Sequence, residues 1–403
     1  MIKVSVLGYG TVGSGVVEIL RENAALITKR TGEDIQVKSV LDLRDFPGDP
    51  VQDIIVHDFE EVKNDPEVQI VVETMGGLHP AYEFVKASLE SGKSVCTSNK
   101  ALVAAYGPEL LAIAQEKNVN FLFEASVGGG IPIIRPLKIS LAPDEILEIS
   151  GILNGTTNYI LTEMTEQGSD FDSVLKDAQD KGYAEKDPTA DVEGYDACRK
   201  IAILTSLAYG KQLDFEDVYT EGITKITDRD IQYAKKLGAK VKIFGSSKKV
   251  GDKVSAMVAP KLITSSHPLY SVDGVFNAIL VKGNMVGDVM FYGQGAGKLA
   301  TASAVVSDIM DEAKHINVNM KTLWSHEKLA LLPMDEVKSK FFVRVRGTKE
   351  QLEDKVNTLF GKVTAVDVGY SDEYAFVTEE IAEAVYDAAE KELDIINKIR
   401  FDA

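Results

Sequence analysis

The sequence predicts an α/β protein in three parts: an N-terminal doubly wound parallel sheet, an α+β middle section, and a C-terminal module of ferredoxin-like order. Over the first third, short β-branched runs alternate with amphipathic helical stretches, the pattern of a parallel sheet with crossover helices. Three glycines and two prolines in Ser126–Pro136 close that alternation and mark a crossover between domains. From Phe341 the pattern runs strand, helix, strand, strand, helix, strand. With 403 residues to distribute, domains are expected at 1–132, 133–320 and 338–403.

The elements follow in order. Val4–Leu7 reads as a strand entering a glycine turn, with a helix continuing to about Arg30. Further strands are expected at Val37–Leu43, Val68–Thr74, Lys93–Asn99 and Asn118–Ser126, with helices at Ala81–Glu90 and Pro108–Lys117. In the middle, helices are expected at Tyr159–Gln167, Phe171–Asp180 and Asp191–Tyr209. Strand-like runs at Val254–Ile263 and Gly274–Gly283 suit an antiparallel or mixed sheet, and a helix near Ala300–Ile316 ends the section. The tail reads as strands Phe341–Arg346, Val363–Val368, Tyr374–Thr378 and Asp394–Phe401, with helices Lys349–Phe360 and Glu379–Leu393.

Composition narrows the function. A formal charge of −18, spread along the chain, repels nucleic acid and anionic lipid and leaves no basic stripe. Nothing at the N-terminus has the form of a targeting leader, and no apolar run approaches the length of a bilayer span. Cys96 and Cys198 form neither a disulfide framework nor a zinc pattern. The expectation is a soluble, reduced, cytoplasmic protein with neither a nucleic-acid nor a membrane partner.

The sharpest motif is Gly8-Tyr9-Gly10-Thr11-Val12-Gly13, placed directly after a strand and opening a helix. In a Rossmann domain the first glycine permits the turn, the second admits a pyrophosphate, and the third lets helix and sheet pack. The helix N-terminus then offers free N–H groups and partial positive charge to the phosphates. An acidic residue is expected at the end of the second strand. Asp42 would suit a free ribose 2′-hydroxyl and Arg44 a 2′-phosphate, so NAD and NADP both stay open.

Two loops should share that ligand edge, because ligands bind beyond the carboxyl ends of such strands. Gly76-Gly77-Leu78-His79-Pro80-Ala81 follows the third strand and Thr97-Ser98-Asn99-Lys100 the fourth. Lys100 is a candidate charge beside a reacting carbon, against the plainer reading of a solvated lysine at a helix start. His79 reads as structural or solvated.

The segment Lys181–Lys200 gathers Glu185, Asp187, Asp191, Glu193 and Asp196 around two turn glycines and Pro188. Asp196 and Lys200 lie four apart and share a helix face, which by itself describes a surface ion pair. The dense acidic loop before that helix suits a substrate carrying an ammonium group, with one lysine for proton transfer.

In these residues the chain resembles homoserine dehydrogenases. The resemblance rests on ordered motifs: Gly8–Gly13, Gly76–Ala81, Thr97–Ala104, Glu124–Ile134, Gly151–Leu161, Gly182–Lys200 and Gly293–Asp308. It implies reversible NAD(P)-linked interconversion of L-homoserine and L-aspartate 4-semialdehyde, a step towards threonine, methionine and isoleucine. It implies Lys200 and Lys100 as catalytic lysines, and Glu185, Asp191, Asp196, Gly155, Thr156, Gly182 and Tyr183 as substrate-pocket residues. For the cofactor it implies Gly8, Gly10, Thr11, Val12, Gly13, Arg44, Gly76, Thr97, Ser98, Asn99, Lys100 and Gly297. Glu124, Val127, Gly129 and Ile131 match a sodium or other monovalent-cation site built mainly from carbonyl oxygens. The tail is similar to the ACT-type regulatory modules of some members, although Arg346–Leu352 replaces their usual Asp-x-x-Gly turn. The family also implies a homodimer or larger homo-oligomer through the middle domain, and a chain starting at its first strand suggests the single-function form.

Two rival readings remain. A semialdehyde-oxidising dehydrogenase would need an activated thiolate from Cys96 or Cys198. A redox-sensing regulator would bind NAD(P) without needing Lys100, Lys200 and the acidic segment together.

Overall fold

A computed structural model describes residues 1–402. Its contacts divide the chain into two units, each interrupted in sequence.

The first unit comprises Met1–Glu145, Ala202–Phe215 and Gly293–Lys328. Its sheet has six parallel strands: β1 (Ile2–Leu7), β2 (Ile35–Leu41), β3 (Ile55–Val56), β4 (Val68–Glu73), β5 (Ser94–Thr97) and β6 (Phe121–Leu122). Their spatial order is β3-β2-β1-β4-β5-β6, so winding reverses between β1 and β4. That reversal leaves a crevice at the carboxyl ends of the strands. β1 and β4 are buried on both faces, which explains their unbroken apolar character.

Several sequence expectations shift here. The first helix breaks at Asn23 into Thr11–Glu22 and Ala24–Thr31. The expected strand Asn118–Ser126 shrinks to β6, because the chain turns into a 3-10 turn at Glu124–Ser126. β3 has only two residues, too few for any alternation to show. The helix expected from Pro108 begins at Lys100 and carries Pro108 inside. Proline at that position leaves the Ala104 carbonyl without its helical donor, and the Gln212 side chain approaches it at 3.5 Å.

The helix Lys298–Lys314, expected to close the middle section, packs instead in the first unit. Its Ala302, Val305 and Ile309 share one core with Val4, Val6, Val16, Val17 and Leu20. Gly15 makes this approach possible: a Cβ there would lie 2.9 Å from both the Ala302 Cβ and the Lys298 carbonyl.

The second unit comprises Ile146–Ile201, Glu216–Tyr292 and Leu329–Ala403. One mixed sheet runs through it in the order Gly287–Gln294, Phe276–Gly283, Ile146–Ile152, Ala239–Val250, Lys253–Thr264, Ile395–Asp402, Lys338–Arg346, Glu373–Thr378, Val363–Val366. The last four strands belong to the tail. Counted along it, their order is fourth, first, third, second, all antiparallel, with helices Lys349–Phe360 and Glu383–Glu390 between them. Phe341, Val343, Val345, Val356, Phe360, Phe376 and Tyr386 form its core. The tail joins the rest of the sheet through parallel pairing of Lys261–Ile263 with Arg400–Asp402. No helix among the described residues is long and apolar enough to cross a membrane.

Candidate active site

The glycine turn follows β1. Gly8 has φ +94° and donates to the Leu41 carbonyl at 2.8 Å. A Cβ on Gly13 would lie 1.9 Å from the Gly8 carbonyl oxygen, so only glycine fits the first helical turn there. Gly10 caps the helix Thr11–Glu22, and a Cβ on it would meet nothing within 4 Å, leaving space at the helix N-terminus. A cavity of about 630 Å³ opens there, lined by Tyr9, Gly10, Thr11, Phe46, Asp49 and Lys298 among others. Val12 packs half-buried on the core behind the turn. Gly297, with φ +129°, caps the helix Lys298–Lys314.

At the end of β2, Asp42 accepts the Tyr9 N–H at 2.8 Å and receives the Arg44 guanidinium at 3.0 and 2.9 Å. Those bonds to Arg44 hold the Asp42 carboxyl well below the ordinary carboxylate range. Arg44 itself is 63% exposed. The two residues that sequence set against each other are therefore one hydrogen-bonded pair.

The loops after β4 and β5 are tied together by a residue that the sequence motifs do not include. Glu73, fully buried, accepts the Met75 and Gly76 N–H groups at 2.7 and 3.1 Å on one oxygen. Its other oxygen accepts the Thr97 hydroxyl at 2.5 Å. Asn99 donates from its amide to the Gly77 carbonyl at 2.6 Å and caps the helix that begins at Lys100 by accepting the Leu102 N–H at 3.1 Å. Ser98 and Lys100 are half-buried on this edge. His79 pairs with Glu83 at 2.7 Å on an exposed helix start, away from this network.

In the second unit, Lys200 is no solvated surface lysine. It donates to the Leu153 carbonyl at 2.7 Å and pairs with Asp196 at 2.8 Å, with side chains only 11% and 6% exposed. Asn154 donates to Asp191 at 2.7 Å and to Asp196 at 2.9 Å, and its own oxygen accepts the Thr157 N–H to cap the helix Gly155–Gln167. The sequence motif contained Asn154 without revealing this bridge. The expected helix Asp191–Tyr209 is interrupted at Gly194, φ +83°, into Thr189–Val192 and Tyr195–Tyr209. Gly155 is required sterically, since a Cβ there would stand 2.8 Å from the Val275 carbonyl. Thr156 donates to the Tyr183 carbonyl at 2.6 Å, holding the turn in which Gly182 adopts φ +74°. Glu185 lies on the exposed loop outside the Asn154 network, its carbonyl accepting from Gln179.

The tract after β6, where a monovalent cation was expected, is organised around Glu124. The Glu124 carboxylate accepts the N–H groups of Ile133, Ile134 and Arg135 at 2.6, 2.8 and 2.7 Å, so its side chain is committed to the backbone. Val127 and Ile131 are buried, and Gly129, φ +57°, lies so close to Gly295 that a Cβ would sit 2.1 Å from its carbonyl oxygen. Among the described residues, no group of three or more His, Cys, Asp and Glu side chains could hold a metal.

Both cysteines are buried, and burial pushes both thiols up, Cys96 well above its ordinary value. Cys96 also faces the buried Glu312 carboxyl at 3.0 Å. Neither is an activated thiolate, which removes the basis of the thiol-dependent rival.

Comparison with known proteins gives one consistent result. Residues 8–124 match the family model described as homoserine dehydrogenase, NAD binding domain, and residues 132–310 match that of homoserine dehydrogenase. The chain is 42% identical over 375 residues to the homoserine dehydrogenase of Neisseria gonorrhoeae, covering 91% of this chain and 85% of that protein. It is 41% identical over 373 residues to that of Bacillus subtilis, covering 91% and 84%. A crystal structure of a homoserine dehydrogenase from Thiobacillus denitrificans superposes with a TM-score of 0.92 at 36% identity, covering 100% of this chain and 98% of that one. A hyperthermophilic archaeal homoserine dehydrogenase in complex with NADPH superposes at 0.68 with 29% identity, covering 80% and 99%.

Proposed function

The chain belongs to the homoserine dehydrogenase family, an NAD(P)-dependent oxidoreductase family, and on that premise we propose which of its residues carry the reaction. Lys200 is the proton-transfer group at the substrate oxygen, and Lys100 is a second catalytic lysine on the nicotinamide edge. Asp191 and Asp196, with Glu185 from the exposed loop, receive the substrate ammonium. Gly155, Thr156, Gly182 and Tyr183 shape the pocket. The observation that carries this reading is the buried Lys200–Asp196–Asn154–Asp191 network, closed by the Leu153 carbonyl. An ammonium so held has fixed direction, and the two carboxylates beside it supply the negative charge that a cationic substrate needs.

The nicotinamide cofactor, when bound, supplies or accepts the hydride. Gly8, Gly10, Thr11, Val12 and Gly13 would receive its pyrophosphate, Gly76, Thr97, Ser98, Asn99 and Lys100 would line the nicotinamide side, and Gly297 would close the edge. Arg44 favours NADP, because its exposed guanidinium can turn to a 2′-phosphate while Asp42 keeps the Tyr9 N–H. Carbonyls of Glu124, Val127, Gly129 and Ile131 would hold sodium or a similar ion. The sequence domains 1–132, 133–320 and 338–403 then serve cofactor binding, substrate binding with homodimerisation, and regulation. The tail's β-α-β-β-α-β topology supports an ACT-like assignment.

The test is direct. Protein is mixed with L-homoserine and NADP, then NAD, and followed at the nicotinamide absorbance. Lys200→Ala should lower turnover about 10²- to 10⁴-fold with cofactor affinity retained. Equal turnover in that variant would remove Lys200 from its role.

A further inference from the structure

We propose that Glu73 is a positioning residue for hydride transfer, acting as the fixed post to which the loops after β4 and β5 are both moored. The inference rests on the cofactor edge proposed above, but its observations are its own. The side chain is fully buried at the carboxyl end of a central strand, next to the reversal point of the sheet. A carboxyl there would be costly without partners, and those it has are the loop after β4 and Thr97, the last residue of β5 before the second loop. Met75 and Gly76 donate to one oxygen and Thr97 to the other. Thr97 in turn accepts the Asn99 N–H at 2.9 Å, and Asn99 returns to the first loop through the Gly77 carbonyl.

The bonds therefore make a closed circuit: Glu73, Thr97, Asn99, Gly77 and back along the chain. Gly76 and Gly77, with φ of +76° and +72°, have little conformational preference of their own, so the circuit decides where they stand. Met75 meets the glycine turn as well: a Cβ on Gly8 would touch its Cγ at 3.1 Å and its Cα at 3.3 Å. One carboxyl group thus sets the mutual positions of the turn after β1, the glycine pair after β4 and the helix start that carries Lys100. A misplacement of about 1 Å at a reacting centre can cost about 10²-fold in rate. Length, more than charge, should be what matters. Glutamine keeps an acceptor for Met75 and Gly76 and offers an N–H to the Thr97 oxygen, whereas aspartate retracts the carboxylate by about 1.5 Å, one C–C bond.

The experiment compares Glu73→Asp, Glu73→Gln and Thr97→Val with the unmodified chain. Glu73→Asp should lower kcat at least about tenfold, with the KM for L-homoserine little changed, and Glu73→Gln should recover most of that loss. The primary deuterium isotope effect on turnover should rise in Glu73→Asp, since misalignment slows hydride transfer itself, which a mere loss of folded protein would not do. Without cofactor, amide hydrogen exchange in residues 74–80 and 97–103 should quicken together in Glu73→Asp and in Thr97→Val. Unaltered kcat and isotope effect in Glu73→Asp, or quickening confined to one loop, would overturn the proposal. Coupled exchange in a chain that fails to oxidise L-homoserine would leave the mooring standing and refute its part in that reaction, along with the activity it rests on.

Discussion

Gly10 and Gly13, neighbours in one turn of the chain, allow the sterics of the fold to be separated from the sterics of ligand approach. A methyl group on Gly13 would lie 1.9 Å from the Gly8 oxygen and 2.8 Å from the Thr74 hydroxyl. Gly8 cannot yield freely, because its N–H is bonded to Leu41 and its carbonyl accepts from Thr74. Overpacking of this kind costs about 1–3 kcal/mol or more, against a gain of about 1 kcal/mol from replacing a helical glycine by alanine. A 1.9 Å approach to a backbone oxygen puts the cost at the top of that range, so Gly13→Ala should be destabilised by about 2 kcal/mol, lowering the unfolding midpoint by about 2–4 °C for each kcal/mol lost. Gly10 has φ −83° and an open surrounding, so Gly10→Ala should keep its stability within about 0.5 kcal/mol. Its methyl would occupy the space at the helix N-terminus, and cofactor affinity should fall at least about tenfold, or 1.4 kcal/mol. Thermal unfolding without cofactor and fluorescence titration with NADPH measure the two effects separately. A Gly13→Ala protein with an unmoved midpoint, or a Gly10→Ala protein with undiminished NADPH affinity, would refute this division of roles.

Two further outcomes follow from charged side chains, one buried and one exposed. Glu312 lies wholly inside the first unit, and burial pushes its carboxyl well up, with one oxygen lacking any hydrogen-bond partner. The folded state therefore holds a proton that the unfolded state releases above about pH 4.3, so this contribution to stability is present in acid and lost as pH rises, at about 1.4 kcal/mol per pH unit until the folded-state value is reached. Glu312→Gln cannot ionise; its denaturant-measured stability between pH 5 and 7 should decline less steeply than that of the unmodified chain, and parallel slopes would contradict the argument. Arg44→Ala should raise the KM for NADP about tenfold while improving or sparing that for NAD, because Asp42 is then released to a ribose hydroxyl; an equal loss with both cofactors would place Arg44 outside the cofactor edge.

How much of this is readable from residues alone depends on the range of the interaction. The glycine turn is legible because its requirement is local: any side chain at Gly13 would meet the Gly8 carbonyl, five residues earlier in the same turn. The tail is legible in its longer strands and helices, but the two-residue strand Ile381–Ala382, paired with Lys338 and Ser339, takes the start of the expected helix Glu379–Leu393 and is too short for any alternation to show. Glu73 is not legible, since it ends an apolar run and its partners in the next loop lie more than twenty residues away. Lys200 and Asp196 are visible as an i,i+4 pair, but only Leu153 and Asn154, some forty residues earlier, turn that pair into a buried network. The placement of Lys298–Lys314 escapes the sequence for the same reason. Its small residues announce close packing without saying against what, and Gly15 supplies the answer from the opposite end of the chain.

The two lysine-bearing regions use one device, and the device explains their side-chain chemistry. Asn99 and Asn154 each cap a helix with the amide oxygen, accepting from Leu102 and Thr157, while the amide nitrogen reaches away from the helix. At Asn99 that nitrogen ties down the Gly77 carbonyl, and at Asn154 it spans two carboxylates that would otherwise repel. Aspartate or serine would serve equally as a cap. Neither could also make the outward bonds, because aspartate has no donor and a serine hydroxyl has only one, with a shorter reach. Asparagine is the residue that accepts from a helix and donates twice elsewhere, so helix stability and site geometry are fixed by the same side chain. The folding of each helix N-terminus is thereby coupled to the arrangement of the groups proposed to act beside it.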